Sequence, residues 1–247
     1  EVATSAAGLL SPEAIAKKAV ERVTRLIGAR KVESQNVPVV FEAPVTGSLL
    51  LGFLAQCISG PALDRRQTFL LDKLGQKIGS DLITIYDNAL LPGGRGTAPF
   101  DTEGVPARKT LVMESGVLKS YLLNTYYGRK LKMASTGNAG GTTNFHLAAG
   151  TSKPADIIKS VDKGLLLTGT IGFGLVPTTG DISTGAFGLW IEKGEIAYPV
   201  AEITISGNLA DVLKGIEMVG DDLDPGDSVS GPTVKTAVMS IGGKAAT

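Results

Sequence analysis

The sequence predicts an α+β fold: a mostly antiparallel sheet of short strands and hairpins, packed with a few helices. Three observations carry this. The long helical patterns come early, whereas two hairpin signatures and a closing β-rich run come late. The strand–helix alternation of a doubly wound sheet is absent. Gly makes up 32 of 247 residues and aromatics only 5%, nearly twice the usual glycine share of roughly 7%, as many turns between short strands require.

Ser11-Pro12-Glu13-Ala14 reads as a helix start, with Ser11 capping the free N–H groups and Pro12 at the first helical position. Ile15, Ala19, Val23 and Leu26 then recur at helical spacing, and Gly28 is the stop. This stripe needs a surface to lie on. Val37 to Phe41 is a β-rich run that opens a new unit. Val45 to Ser59 is apolar nearly all round, which predicts a buried helix. Leu82 to Tyr86 reads as a strand. Lys109–Met113 and Val117–Tyr121, joined through Glu114-Ser115-Gly116, form one hairpin. Leu189–Glu192 and Glu195–Val200, joined by Lys193-Gly194, form another. Asn208 caps a short helix expected to reach about Met218, and Thr233 to Ile241 is the closing strand.

Composition excludes several functions. Lys+Arg and Asp+Glu are both 24, so there is no basic excess to meet nucleic-acid phosphates or an anionic membrane surface. No window approaches the about 18 apolar residues of a membrane span. The chain begins Glu1-Val2-Ala3, without Met or a signal pattern, which reads as a piece of a longer, cytoplasmic protein. One Cys, Cys57, rules out an intramolecular disulfide and any zinc site built on several cysteines.

The residues that carry chemistry are few. With His146 the only histidine, a His-based catalytic zinc site lacks its ligands. A Ser–His–Asp triad would need His146, which Phe145 and Leu147 flank, and no Gly-x-Ser-x-Gly elbow occurs. Ser160-Val161-Asp162-Lys163 matches Ser-x-x-Lys in form only, and reads as a polar helix face with Ile157, Ile158 and Val161 inward. Asp221 to Asp227 lacks the ligand spacing of a calcium loop and reads as a solvated turn. Gly137 to Gly141 reads as a loop with positive φ values or a backbone cradle for a phosphate or peptide. Asp101 and Glu103 read as a capped turn or as a carboxylate pair orienting a substrate amine or water.

Taken together, six segments resemble the TldD/PmbA family of peptide-maturation, or modulator-of-gyrase, proteins. They are Phe100-Asp101-Thr102-Glu103-Gly104-Val105-Pro106, Glu114-Ser115-Gly116-Val117-Leu118-Lys119-Ser120-Tyr121-Leu122, Ser135 to Gly141, Gly180-Asp181, Gly188 to Glu192, and Tyr198 to Asn208. The resemblance covers roughly residues 12 to 243. It implies that residues 1–33 are the end of a central helical region and residues 34–247 the C-terminal domain, family members being nearly twice as long.

The TldD branch carries a zinc-binding His-Glu-x-x-x-His helix and a later cysteine. The resemblance places the first His at Leu51, the Glu at Gly52, the second His at Gln56 and the cysteine near Ser228–Gly231. All are absent, so the chain is similar to the PmbA (TldE) branch. The implied role is a non-catalytic subunit or scaffold for unfolded-peptide processing, in a heteromer with a TldD-like subunit or in a homodimer. Zinc is expected only in the TldD-like partner. The implied peptide-cleft residues are Asp101, Glu103, Gly104, Thr136, Gly137 and Asn138. Two alternatives remain: a protein-binding modulator without peptidase activity, and a metal-free enzyme using Asp101 and Glu103.

Overall fold

The computed structural model describes residues 3–172 and 174–244; Glu1, Val2 and residues 245–247, the ends of the two expected regions, lie outside them. In chain order the elements are α1 (Pro12–Thr24), β1 (Gln35–Phe41), α2 (Ala43–Val45), a π-helical segment (Thr46–Leu51), α3 (Gly52–Cys57), α4 (Gly60–Asp64) and β2 (Ile85–Asn88). Then come β3 (Lys109–Glu114), β4 (Val117–Leu118), α5 (Thr125–Lys130), β5 (Phe145–Leu147), α6 (Pro154–Lys159), β6 (Lys163–Ile171) and β7 (Leu175–Val176). The chain finishes with β8 (Asp181–Glu192), β9 (Glu195–Asn208), α7 (Leu209–Lys214), β10 (Ile216–Val219), β11 (Val229–Ser230) and β12 (Val234–Gly242).

The larger sheet closes on itself. Pairing runs β1–β6–β8–β9–β12 and returns from β12 to β1, with β7 and β10 attached outside this ring. All of its contacts are antiparallel except β1–β6. Closure removes the free edges that a row of long strands would otherwise expose. The smaller sheet has the order β11-β5-β2-β3-β4, with β11 parallel to β5. One apolar core joins the two sheets, and the helical stretch over residues 43–57 contributes Leu49, Leu50, Leu51, Phe53, Leu54 and Cys57 to it. That stretch is buried because it has almost no polar face, as its composition demands.

Both hairpins turn on two residues with positive φ: Ser115 and Gly116 at 45° and 76°, and Lys193 and Gly194 at 52° and 77°. This is the turn whose twist matches paired strands. The strands are unlike those expected in length. β4 stops at Leu118, whereas β8 and β9 run 12 and 14 residues. β2 begins at Ile85 rather than Leu82 because only from there do residues pair with β3 and β5, and Leu82 is exposed. The helix capped by Asn208 ends at Lys214, where Gly215 breaks it; Ile216–Val219 is captured as a strand by β12.

α1 forms as its cap predicts, the Ser11 hydroxyl oxygen accepting from Ala14 N–H at 3.2 Å. Its stripe, however, is largely uncovered along α1: no residue of α1 is buried and Val23 is 67% exposed, and only Leu26, just past the helix end, packs against the core around Val40 and Ile157. The helix is fastened beyond its end instead, by a two-pronged pair from Arg25 to Glu42, both N···O distances 2.7 Å.

Candidate functional site

Two clefts carry the residues singled out by the sequence. The first lies along the helical stretch 43–57. Its exposed face presents Ala43, Pro44 and Ser48, and opposite stand Asp224 and the run from Gly226 to Gly231, with Lys18 and Arg22 of α1 on a third side, around a volume of about 550 Å³. Here the loop crosses the helix at very short range. A Cβ on Gly47 would lie 2.6 Å from the Val229 carbonyl oxygen, and one on Gly231 would lie 2.5 Å from Thr46 and 3.3 Å from Leu51. Only glycine permits this approach of backbone to helix. The π-helical segment sits at the same crossing, a distortion often found where a helix carries function.

Of the positions that the resemblance assigns to metal chemistry, this crossing brings Leu51 against Gly231, while Gln56 is not among the cleft-lining residues. Leu51 is buried beneath Gly231, Gly52 has no side chain, and Gln56 is exposed. Leu51, Gly52 and Val229–Gly231 offer no imidazole, thiolate or carboxylate, so these residues do not fit a zinc centre. Among the described residues no three His, Cys, Asp or Glu side chains come together as a metal site. Cys57 is buried, and burial pushes its thiol up to about 11, so it is protonated and a poor nucleophile at neutral pH. His146 sits at the end of this region, its Nε2 3.1 Å from the Asp227 carbonyl oxygen.

The second cleft, of about 340 Å³, lies between the 98–107 segment and residues 137–143. Asp101, Thr102, Gly137, Ala139 and Gly140 line it. Asp101 is the tie. One of its carboxylate oxygens accepts from the N–H groups of Glu103 and Val105, both at 2.9 Å, and the other from Ala139 N–H at 3.0 Å. Thr102 closes the joint by donating its hydroxyl to the Ala139 carbonyl at 2.9 Å. Gly104 takes φ 78° and donates to the Asp101 carbonyl at 3.0 Å. Desolvation pushes the Asp101 carboxyl up, but the donors from Ala139, Val105 and Glu103, with the charge of Arg108, outweigh it and hold the group below its ordinary value. Glu103 faces away from this joint, one oxygen accepting from Thr125 N–H at 2.8 Å at the start of α5.

The 136–141 loop is held from beneath by a residue that sequence reasoning missed. Asp87 is buried on β2 and accepts from Asn138 Nδ2 at 2.6 Å, Thr143 N–H at 2.8 Å and the Thr143 hydroxyl at 3.0 Å. Thr136 donates its hydroxyl to Asn138 Oδ1 at 2.7 Å, and Gly137 N–H donates to Ser135 at 3.2 Å. Burial pushes the Asp87 carboxyl up; its three hydrogen bonds and the nearby His146 only partly offset this. Asn144, also missed, is fully buried and binds Gly96 N–H, the Asn88 carbonyl and Thr97. The signal for Asp87 was its period: two residues after buried Ile85 on a strand, it points to the same side. Gly137, Gly140 and Gly141 have φ of 75°, 113° and 103°, the positive values expected of that loop.

The class these features define is an α+β domain of two sheets on one core, in which a buried helix and a loop cross through glycines. Comparison with known proteins names the family. Residues 34–243 match the PmbA/TldA metallopeptidase C-terminal domain, and the chain belongs to this family. It is 37% identical over 236 residues to the metalloprotease PmbA of Escherichia coli O157:H7, covering 96% of this chain and 52% of the relative. It is 30% identical over 244 residues to the metalloprotease TldD homolog of Buchnera aphidicola, with 92% and 50% covered. The chain thus spans about half the length of these curated relatives. Among solved structures it superposes on a Thermotoga maritima protein described as a modulator of a DNA gyrase, with TM-score 0.91, 34% identity and 98% and 57% of the two chains covered. TldE from Thermococcus kodakarensis matches with TM-score 0.82, 28% identity and 94% and 55% covered.

Proposed function

We propose that this chain is the non-catalytic subunit of a metallopeptidase assembly that processes unfolded peptides, zinc and the general base being supplied by a TldD-like partner. One point carries the reading: the chain belongs to the family, yet the resemblance puts Leu51, Gly52 and Gln56 at the positions where the TldD branch has its ligands and base. On this reading residues 34–247 form the family domain, residues 1–33 end a preceding region, and the protein is cytoplasmic, contacting neither nucleic acid nor membrane. The loops around Asp101, Gly104, Thr136, Gly137 and Asn138 then form part of the wall along which a peptide passes. A metal-free reaction by Asp101 is disfavoured, because a carboxylate held by three amides is a weak base.

The test is a mixing experiment. Zinc content and peptidase activity are measured for this chain alone, for a TldD-type partner alone and for both together, with an unfolded peptide as substrate. Turnover that rises on adding this chain supports the reading, whereas zinc-dependent turnover by this chain alone overturns it. The description of a structural relative as a gyrase modulator favours a second reading, a protein-binding modulator. Stable capture of a protein target with no effect on any peptidase would favour that one.

A further inference from the structure

The first cleft carries charge that the fold does not use. Lys18 and Arg22 lie four residues apart on α1, so they share one face of the helix, and both line the cleft. Among the described residues neither lies within ion-pair distance of a carboxylate. Their position is set one turn further on by the Arg25–Glu42 pair. The opposite wall is acidic: Asp227 pairs with Arg95, while Asp224 accepts only the nearby Gly226 N–H among the described contacts. The cleft lining therefore carries both cationic and anionic groups, with Ser48 on it as well. The strand β11 gives no free edge here, because the Val229 carbonyl that faces away from β5 lies against Gly47 of the helix.

We propose that this cleft binds an extended peptide by its terminal carboxylate, which Lys18 and Arg22 take together. Ser48 offers a hydroxyl on the cleft lining, and Asp224 on the same lining disfavours a carboxylate bound beside it. Arg22 contributes a planar two-pronged donor and Lys18 a point charge. The inference rests on the reading of the chain as a peptide-handling subunit and assigns to its ligand-less locus the role of holding a peptide end rather than cutting it.

The test uses the full chain without partner, with a fluorescein-labelled unstructured peptide as a free acid, as a C-terminal amide, and as an amide carrying one internal Glu. Fluorescence anisotropy at low salt should show the acid binding on the order of tenfold more tightly than either amide. In the Lys18→Met/Arg22→Met double variant this preference should vanish while the thermal unfolding transition stays in place, since both residues are exposed. Arg22→Glu should reverse the preference. Equal affinity of the parent for acid and amide, or a preference that survives the double substitution, overturns the assignment, and so does an internal Glu that restores full binding. The readout involves no turnover, so it separates from the mixing experiment. If adding the parent raises partner turnover yet the parent shows no acid preference, this assignment falls and the peptidase-assembly reading stands.

Discussion

The two clefts are shaped by opposite means. Along the helix at 43–57 the shape comes from apolar burial and close backbone approach: Leu51 beneath Gly231, Gly47 against Val229. Between the 98–107 and 137–143 segments it comes from two carboxylates that collect backbone and side-chain donors, Asp101 from the side and Asp87 from below. The first kind of cleft is rigid where its helix and loop are close-packed, and its charged groups stand on the rim, on α1 and in the 224–227 turn. The second is rigid because every donor has its acceptor, and it fails when one acceptor is removed.

The comparison is broken most severely at Leu51. Leu51→Ala empties a fully enclosed site in the core and should cost about 3 kcal/mol, as buried leucine truncations do. Gln56→Ala, one turn further along the same helix but exposed, should stay within about 0.5 kcal/mol. Urea denaturation of the pair measures both. If the two losses were equal, the aliphatic packing at Leu51 would not be what holds the helix.

Asp87→Ala should rank next, at about 2 kcal/mol, because it removes the acceptor of the two Thr143 donors and leaves the buried Asn138 amide only the Gly141 carbonyl. The loss should concentrate in the loop: hydrogen exchange at Gly141 and Thr143 should rise more than exchange in the closed barrel. Replacing an acceptor in the second cleft thus loosens a wall, whereas truncating Leu51 in the first lowers the stability of the whole core.

How much of this could be read beforehand follows the distance over which each feature is determined. The cap at Ser11, the apolar helix through Leu49–Leu54, the two hairpin turns and the positive-φ loop at Gly137–Gly141 are set by neighbours in sequence, and they are where the pattern puts them. The closed ring is not local. β1 lies between β6, over 120 residues on, and β12, nearly 200 residues on, and nothing in Gln35–Phe41 specifies which strands flank it. The same limit hides Asp87, whose partners lie 51 and 56 residues away. It also explains the helix expected to reach Met218: the residues after Gly215 suit either form, and pairing with β12 decides for strand. α1 shows a converse limit, since its periodicity is correct yet its stripe is largely uncovered in this chain.

The two carboxylates of the second cleft also separate by pH, with opposite signs. The Asp101 carboxyl sits below its ordinary value of 3.8 in the folded protein, so its contribution is present above that pH and is lost as pH falls through the folded value. The Asp87 carboxyl sits above 3.8, so the folded state holds its proton more tightly than the unfolded chain does. Its ionisation therefore works against stability above the folded value, and that penalty is relieved as pH falls toward 3.8. Stability measured by urea denaturation in steps from pH 7 to pH 3 should show both. Asp101→Asn should flatten the acid loss below pH 3.8, and Asp87→Asn should steepen the decline just above it. These are the smallest effects, but their signs are fixed by geometry: three amides around one group, burial around the other. Two variants that bent the profile the same way would mean that the carboxylates share one environment and that the cleft is not held from its side and from beneath by different physics.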